Sequence, residues 1–288
     1  MIYRLHHATT YDYAHPVVLG THFMHLLPRE RPGQFVRESQ LDISPEPDSR
    51  RNEVDHFGNI TTTVSLTAPH RQFLVALSAT VDVLQPPPPA PETTASWEEI
   101  AEAAIWHTET AEFCLASPLA APNPDIADYA AQSFPSGRPV LEGLLDLNRR
   151  LFTDLKYRSG VTHTGTTAAQ VLKNRAGVCQ DYAHLMIATL RALGLPARYV
   201  SGYLRTYPVD GDEKHRGADQ SHAWAAAWIG NAHGWVDFDP TNNLLVCDEH
   251  VTLAWGRDFQ DVSPLRGIIL GGGRHSLDVN VDLDPVLT

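Results

Sequence analysis

The sequence predicts an α+β protein in which a small N-terminal β-sandwich precedes a core of helices and strands. The chain of 288 residues is long enough for one large domain or two ordinary ones. A proline-rich run at residues 85–91 separates a region of alternating apolar residues from one with helical periodicity. We therefore expect a β-sandwich domain at residues 1–85 and a second domain at residues 92–288.

Residues 1–84 show the pattern of several short strands. Apolar side chains alternate with smaller or polar ones over residues 73–83, which predicts a strand with one buried face. Residues 60–64 are rich in β-branched side chains and follow a turn signal at Gly58 and Asn59. Several strands in so short a region favour a small sandwich with no helix.

The pattern becomes helical after the prolines. Ser96 and Glu99 have the spacing of a capping box that begins a helix. Leucines at near-helical spacing predict a helix at 139–153, and another is predicted at 179–193, ending before Gly194. Further strands are expected at residues 198–204, 223–229, 234–238 and 276–283.

Composition argues against several functional classes. The formal charge of −12 and the lack of a basic face disfavour a nucleic-acid partner. The chain has no apolar run of about 20 residues for a membrane helix and no apolar leader. Three cysteines without CxxC spacing disfavour a disulfide framework or a structural zinc site. We expect a cytoplasmic protein with no membrane partner, no cofactor and no metal site.

Cys179 is the strongest candidate for a reactive residue. It follows the turn 175–177 and begins the predicted helix at 179–193. The first turn of a helix has unpaired N–H groups and a partial positive charge, which stabilise a thiolate. The same N–H groups can bind a developing oxyanion. A cysteine at this position is suited to attack a carbonyl carbon.

His222 and Asp239 can complete a catalytic set with Cys179. A thiolate nucleophile needs a proton donor for the leaving amine, and that donor needs an acceptor to orient it. His222 begins one strand-like segment, and Asp239 ends the next one. Two antiparallel strands joined by a turn near residues 230–234 would bring them together, although the register of the hairpin is open.

The order of these motifs resembles a known family. GVCQDYAH around Cys179, SHAW around His222 and GWVDFDPTN around Asp239 are similar to motifs of the transglutaminase-like superfamily. The N-terminal YRLHHATTYDYAHPV and DHFGN resemble the β domain of bacterial transglutaminase-like proteins regarded as cysteine proteases. The resemblance implies a papain-like core, with a helix-borne cysteine packed on an antiparallel sheet. It also implies that Cys179 is the nucleophile, His222 the general acid and base, and Asp239 the orienting carboxylate.

Some residues near the motifs leave alternatives open. Asp237 shares the predicted face of the strand with Asp239 and is its rival as the third member. Tyr157, favoured over Gln180, could supply a side-chain donor to the oxyanion. Asp181 and His184 are expected to brace the fold or to line the edge of the cleft, and Cys114 and Cys247 to be buried thiols. No metal site is expected from the histidine pairs, at positions 6–7 and at positions 22 and 25.

The expected function is the cleavage of an amide bond in a peptide or protein substrate through a thioester acyl-enzyme. Water is the expected acceptor, because nothing in the sequence marks a site for an amine. Two other functions stay open. One is a transglutaminase-type acyl transferase, and the other is a non-catalytic peptide-binding module.

Overall fold

The computed structural model describes residues 1–207 and 220–286. The strands are β1 (Ile2–Met24), β2 (Gln34–Ser44), β3 (Ser49–Val54), β4 (Ile60–Leu66), β5 (His70–Val83), β6 (Lys156–Tyr157), β7 (Ala176–Gly177), β8 (Ala197–Leu204), β9 (Gln220–Trp228), β10 (Trp235–Asp239), β11 (Leu244–Leu245), β12 (His250–Gly256), β13 (Leu265–Gly271) and β14 (His275–Pro285). The α-helices are α1 (Trp97–Ala104), α2 (Thr108–Ala111), α3 (Pro124–Ala131), α4 (Val140–Asp154), α5 (Ala168–Asn174), α6 (Cys179–Ala192) and α7 (Phe259–Val262). Among these described helices, each is too short or too polar to cross a membrane.

The N-terminal region supplies five strands of a seven-stranded antiparallel sheet, and β13 and β14 supply the other two. Residues 1–84 contain five strands and no helix, as predicted. The long strand β1 connects the two halves of the sheet. Residues 3–12 of β1 lie between β5 and β14, and residues 20–24 lie between β4 and β13. The expected sandwich is therefore built around a strand that both halves share.

The last two strands of the chain belong to the sheet of the N-terminal region. The strand expected at 276–283 exists as β14, but β13 and β14 both pair with β1 of the N-terminal sheet. The predicted bounds gave residues 265–285 to the second domain, 92–288. Alternating apolar residues show that a strand has one buried face, but not which sheet provides its partner. The division at residues 85–92 stays a prediction.

The core is a five-stranded antiparallel sheet with the strand order β11-β10-β9-β8-β12. Helix α6 packs on β9 through the small side chains of Ala223, Ala225 and Ala227, which allow close approach. The helix ends at Ala192, and Gly194 follows with a φ of 76°. The capping box at Ser96 is present at the start of α1. The predicted helices of the core are thus confirmed.

Two side-chain amides attach the N-terminal region to β12, the buried edge strand of the core sheet. Gln34 accepts from the N–H of Thr252 and donates to its carbonyl, each at 2.8 Å. Asn59 makes the same pair of bonds to Trp255, at 2.9 and 2.8 Å. Each amide takes the place of a neighbouring strand, so the backbone groups of the edge strand β12 are satisfied.

Candidate active site

Cys179 is the first residue of α6, and the local backbone explains its position. Helix α5 ends at Arg175, whose φ of 53° is in the left-handed region and turns the chain. Strand β7 then pairs with β6 before α6 begins. The first hydrogen bonds of α6 run from Asp181 and Tyr182 to the carbonyl of Val178. The N–H groups of Cys179 and Gln180 precede these bonds and are left for a ligand. Cys179 is half-buried and carries a free thiol.

Asp181 fixes the first turn of α6 from behind Cys179. Its Oδ2 accepts hydrogen bonds from the backbone N–H of Val178 and from the Thr162 hydroxyl, both at 2.7 Å. Gly177 makes this arrangement possible. A β-carbon on residue 177 would lie 2.5 Å from Oδ2 of Asp181 and 2.6 Å from its Cβ. The glycine next to the site is therefore required for packing against Asp181.

Gly177→Ala is expected to lower the stability of the fold and the reactivity of Cys179. The new methyl group would displace Asp181, and overpacking of this kind costs about 1–3 kcal/mol. Thermal unfolding and the rate of Cys179 alkylation measure the two effects. Gly165→Ala is the matched control, because the added carbon would meet only the exposed ring of His163, at 3.3 Å. Equal behaviour of the two variants would contradict the role given to Gly177.

His222 and Asp239 meet across the hairpin formed by β9 and β10. The register pairs Asp237 with Ala226 and Phe238 with Ala225. Asp239 thus follows on the face that carries Trp224 and His222. Its Oδ2 lies 2.8 Å from Nε2 of His222, within hydrogen-bond distance. Since Nε2 binds Asp239, Nδ1 is the ring nitrogen left to face Cys179.

Asp239 is buried and is held by several donors. Besides His222, they are the N–H groups of Thr241 and Asn242 at 3.0 and 3.2 Å, the Asn242 amide at 2.7 Å and Nε2 of His250 at 3.3 Å. Burial by itself would raise the pKa of Asp239. The hydrogen bonds outweigh burial and hold the pKa of this carboxyl far below its usual range. The carboxylate is thus kept charged and in a fixed orientation.

The surroundings of His222 favour its protonated form. Burial by itself would lower its pKa. Hydrogen bonds to Asp239 and to Cys179, together with the negative charges of these two groups, outweigh burial and raise the pKa to about 10. His222 can therefore be an imidazolium ion at neutral pH, next to the sulfur and ready to donate a proton.

The rival carboxylate Asp237 belongs to a different contact. Its Oδ2 accepts from Arg31 at 2.5 Å and from the indole N–H of Trp224 at 3.3 Å. The structure therefore places Asp239, and not Asp237, against the imidazole. Asp181 caps α6, and the buried His184 accepts the backbone N–H of Phe259 at 3.1 Å, so both brace the fold as expected.

Comparisons with known proteins show to which family the chain is similar. The model of the transglutaminase-like superfamily matches residues 128–240, and that of the bacterial transglutaminase-like N-terminal region matches residues 3–82. An uncharacterized protein of Mycobacterium tuberculosis is 40% identical over 291 residues, which cover 98% of this chain and 92% of the relative. The chain belongs to the transglutaminase-like superfamily. An uncharacterized protein of Mycobacterium leprae is 31% identical over 97% of both chains.

Solved structures support the fold of this transglutaminase-like protein. A candidate cysteine protease from Cytophaga hutchinsonii superposes with a TM-score of 0.76 at 23% identity, covering 100% of this chain and 92% of that one. This confirms an N-terminal β region followed by a transglutaminase-like core. A shorter match, 36% identical over 74 residues, is to a protein-glutamine gamma-glutamyltransferase of Pseudomonas aeruginosa and covers 23% of this chain and 10% of the relative. The family is one of cysteine-type enzymes.

The sequence analysis missed His250 and Cys247. His250 begins β12, is fully buried and places Nε2 on Asp239, while its Nδ1 lies 3.8 Å from the Cys247 sulfur. Asp239 is thus shared by two pairs, each made of a cysteine and a histidine. The segment 246–250 contains no motif that points to the site. It reaches the site only through the pairing of β12 with β8.

The site contains one set of side chains able to hold a metal ion. Among the described residues, His222, Asp239 and His250 have donor atoms within 4.8 Å of one another. These are the atoms that already form hydrogen bonds between the two rings and the carboxylate. We therefore interpret the set as a hydrogen-bond network.

Tyr157 is a better candidate than Gln180 for a side chain that donates a hydrogen bond to the oxyanion. The parallel pairing of β6 with β7 sets Tyr157 against Gly177, two residues before the nucleophile. Partial burial and then the charge of Cys179 raise the pKa of Tyr157, whereas a hydrogen bond with Ser159 lowers it. Gln180 instead donates to the carbonyl of Thr164 at 3.1 Å.

The three thiols of this transglutaminase-like protein should differ in reactivity. Cys114 and Cys247, which were expected to be buried thiols, are half-buried. A hydrogen bond to His250 lowers the pKa of Cys247, whereas burial raises that of Cys114. We expect iodoacetamide at mildly acidic pH to label Cys179 first, Cys247 second and Cys114 last.

Peptide mass mapping at several times would give this order. Protein unfolded in guanidinium is the control, because there the three thiols should react alike. Equal labelling in the folded protein would contradict the order.

Proposed function

We propose that this protein is a cysteine-dependent peptidase or amidase that acts through a thioester acyl-enzyme. The observation that carries the proposal is the hydrogen bond of 2.8 Å between His222 and Asp239, next to a cysteine at the start of a helix. The buried carboxylate orients the imidazole, and the imidazole faces the sulfur. Cys179, His222 and Asp239 would be the nucleophile, the general acid and base, and the orienting group.

The proposed reaction uses only groups of this site. The Cys179 thiolate attacks the carbonyl carbon of the amide and forms a C–S bond. The N–H groups at the start of α6, with the Tyr157 hydroxyl, stabilise the oxyanion. The nitrogen takes the Nδ1 proton of His222, the C–N bond breaks, and the amine leaves. Water then adds to the thioester, gives a proton to His222, and the C–S bond breaks to release the carboxylic acid.

Water is the proposed acceptor for the acyl group. Transfer to an amine requires a site that holds the amine and excludes water. Cys179 is half-buried and Tyr157 is 53% exposed, so the nucleophile is accessible to solvent. The acyl transferase is the second candidate. It is favoured by the local match to the protein-glutamine gamma-glutamyltransferase, although that match covers only 23% of this chain.

The expected substrate is a peptide or a protein, and the expected compartment is the cytoplasm. The cytoplasmic location is supported by three free cysteines and by the absence of any disulfide among the described residues. A non-catalytic, peptide-binding role is disfavoured by the complete set of Cys179, His222 and Asp239.

Hydrolysis is expected to dominate when water and an amine compete. A library of quenched fluorescent peptides identifies a cleaved substrate, which is then incubated with millimolar primary amine. Mass spectrometry of the products should show mainly the free acid. An amine adduct as the main product would make the protein a transferase. The absence of any cleavage, together with no thiol labelled by an activity-based probe, would favour the binding module.

A further inference from the structure

A large cavity lies between the N-terminal region and the face of the core sheet. Its volume is about 830 Å³, which is within the range of sites for small molecules and short peptides. Aromatic side chains and the proline run line much of the wall. Cys179 and His222 are not among the lining residues, so the cavity is distinct from the candidate active site.

Arg198 is the unusual residue of this wall. Its guanidinium carbon lies 3.7 Å from the ring centroid of Trp255 and 4.3 Å from that of Trp235. The residue is only 6% exposed, and Nε of its guanidinium is a buried donor without a hydrogen-bond partner among the described residues. The aromatic rings attract the cation but do not supply the carboxylate or carbonyl acceptors that its five N–H donors require. A buried guanidinium N–H without an acceptor is costly unless water or a ligand in the cavity provides one.

The hydrogen-bond acceptors next to Arg198 are used by two other arginines. Arg29 has acceptors in the Phe57 carbonyl and the Asn59 amide, and Arg31 has acceptors in Asp237 and Thr252. These acceptors do not reach Arg198. Two further acidic residues line the cavity, but Glu109 is exposed and Glu112 binds His56 at 3.0 Å.

A second polar atom on the wall limits the choice of ligand. Oδ1 of Asp237 is buried and has no hydrogen-bond partner, whereas its Oδ2 is used by Arg31 and Trp224. Asp237 and Arg198 both pair with Ala226 of β9, so they lie on the same face of the sheet, and the Asp237 charge acts on Arg198. A ligand that presents an anion next to an N–H donor would satisfy both groups. Trp235, Trp255 and Phe113 offer an apolar surface for the rest of it.

We propose that this cavity binds an N-acylated α-amino acid carboxylate, with the carboxylate on Arg198 and the adjacent amide N–H on Asp237. An apolar side chain of the ligand packs on the aromatic wall. The same chemical group occurs in a free N-acyl amino acid and in the last residue of a peptide. The proposal does not depend on the reaction at Cys179.

Calorimetry with the full chain tests the proposal, using N-acetyl-L-phenylalanine and its amide as probes. The acid should bind about 10- to 100-fold more tightly than the amide, because a hydrogen bond to a charged group is worth more than a neutral one. Equal binding of acid and amide, or no binding of either, would overturn the site. This comparison needs no substitution in the cavity, so the folding of a variant cannot obscure it.

Two variants locate the binding. Arg198→Met, which preserves an unbranched side chain between the rings, should reduce the affinity for the acid about 10- to 100-fold. Arg51→Met is the matched control and should leave the affinity unchanged, because that side chain is 75% exposed and lies outside the cavity. Equal affinity of Arg198→Met and wild type would overturn the assignment.

A hexapeptide that ends in phenylalanine, with a free or an amidated C-terminus, distinguishes the two sources of the ligand. Cys179→Ala protein is used so that the peptide is not consumed. At least tenfold tighter binding of the free-acid peptide than of N-acetyl-L-phenylalanine identifies a peptide terminus as the ligand. Weaker or similar binding identifies a small N-acyl amino acid. Both results support the site, whereas a free-acid peptide that binds as tightly as N-acetyl-L-phenylalanine but no better than its amide contradicts it.

Discussion

Cys179→Ala is expected to abolish amide cleavage, with a loss of at least about 10⁴-fold in turnover, while leaving the fold intact. Removal of the nucleophile from a catalytic triad leaves only the residual effect of binding and of the oxyanion donors. The fold should tolerate the change, because the side chain is small and half-buried at the start of α6. Initial rates with a cleaved peptide and the midpoint of thermal unfolding measure the two effects.

Cys114→Ala is the matched control for this prediction. It removes the same atom from another half-buried cysteine, whose thiol donates to the Thr110 carbonyl at 3.6 Å. The rate should stay within about twofold of wild type, since surface and partly exposed substitutions away from a site have small effects. If Cys179→Ala kept a tenth of the activity, the proposed thioester route would be wrong.

The local part of the site could be read from the sequence. The turn before Cys179, the start of α6 and the end of the helix before Gly194 all depend on residues that are close in the chain. The hairpin of β9 and β10 was also predicted, but its register was not. Register depends on which side chains are buried together, and here it decides that Asp239 rather than Asp237 meets His222.

The parts that the sequence did not reveal depend on contacts between distant segments. His250 reaches Asp239 because β12 pairs with β8, and Arg31 reaches Asp237 from the N-terminal region, 206 positions earlier in the chain. The pairing of β13 and β14 with β1 is of the same kind. Such contacts leave no pattern in the local sequence. Each segment taken alone has the alternating apolar and polar residues of an ordinary strand or the polar residues of an ordinary loop.

Asp239→Asn is expected to reduce turnover about 10²- to 10⁴-fold, with a loss of stability at neutral pH. The carboxylate accepts from His222, His250 and three donors of Thr241 and Asn242. An amide has only one oxygen, so its NH₂ group would face donors, and some of them would lose their partner. Rates and free energies of unfolding measure the two losses.

Asp237→Asn is the matched control, because it makes the same chemical change two residues earlier on the same face. Its carboxylate binds Arg31 and Trp224 rather than the imidazole. We expect it to lower stability by disrupting a buried ion pair but to leave His222 oriented. A large loss of turnover in Asp237→Asn, with little in Asp239→Asn, would reverse the assignment of the third member.

The pH dependence separates the orienting role of Asp239 from a purely structural one. In wild type the pKa of His222 is raised to about 10, so the imidazolium contributes stability at and below its ordinary value of 6.5, and the contribution is lost as the pH rises through about 10. Without Asp239 one of the hydrogen bonds that raise this pKa is gone, and the alkaline limb of kcat/KM should move to lower pH.

The stability that Asp239 contributes should be lost in acid, whereas the contribution of His222 is lost in alkali. The pKa of Asp239 is depressed, so its contribution to stability is present above the ordinary carboxyl value and is lost as the pH falls toward the lowered one. The difference in unfolding free energy between wild type and Asp239→Asn should therefore shrink in acid, where the protonated carboxyl resembles the amide. A purely structural role would lower kcat/KM by the same factor at every pH. An unshifted alkaline limb would thus count against an orienting carboxylate, even if the overall rate fell.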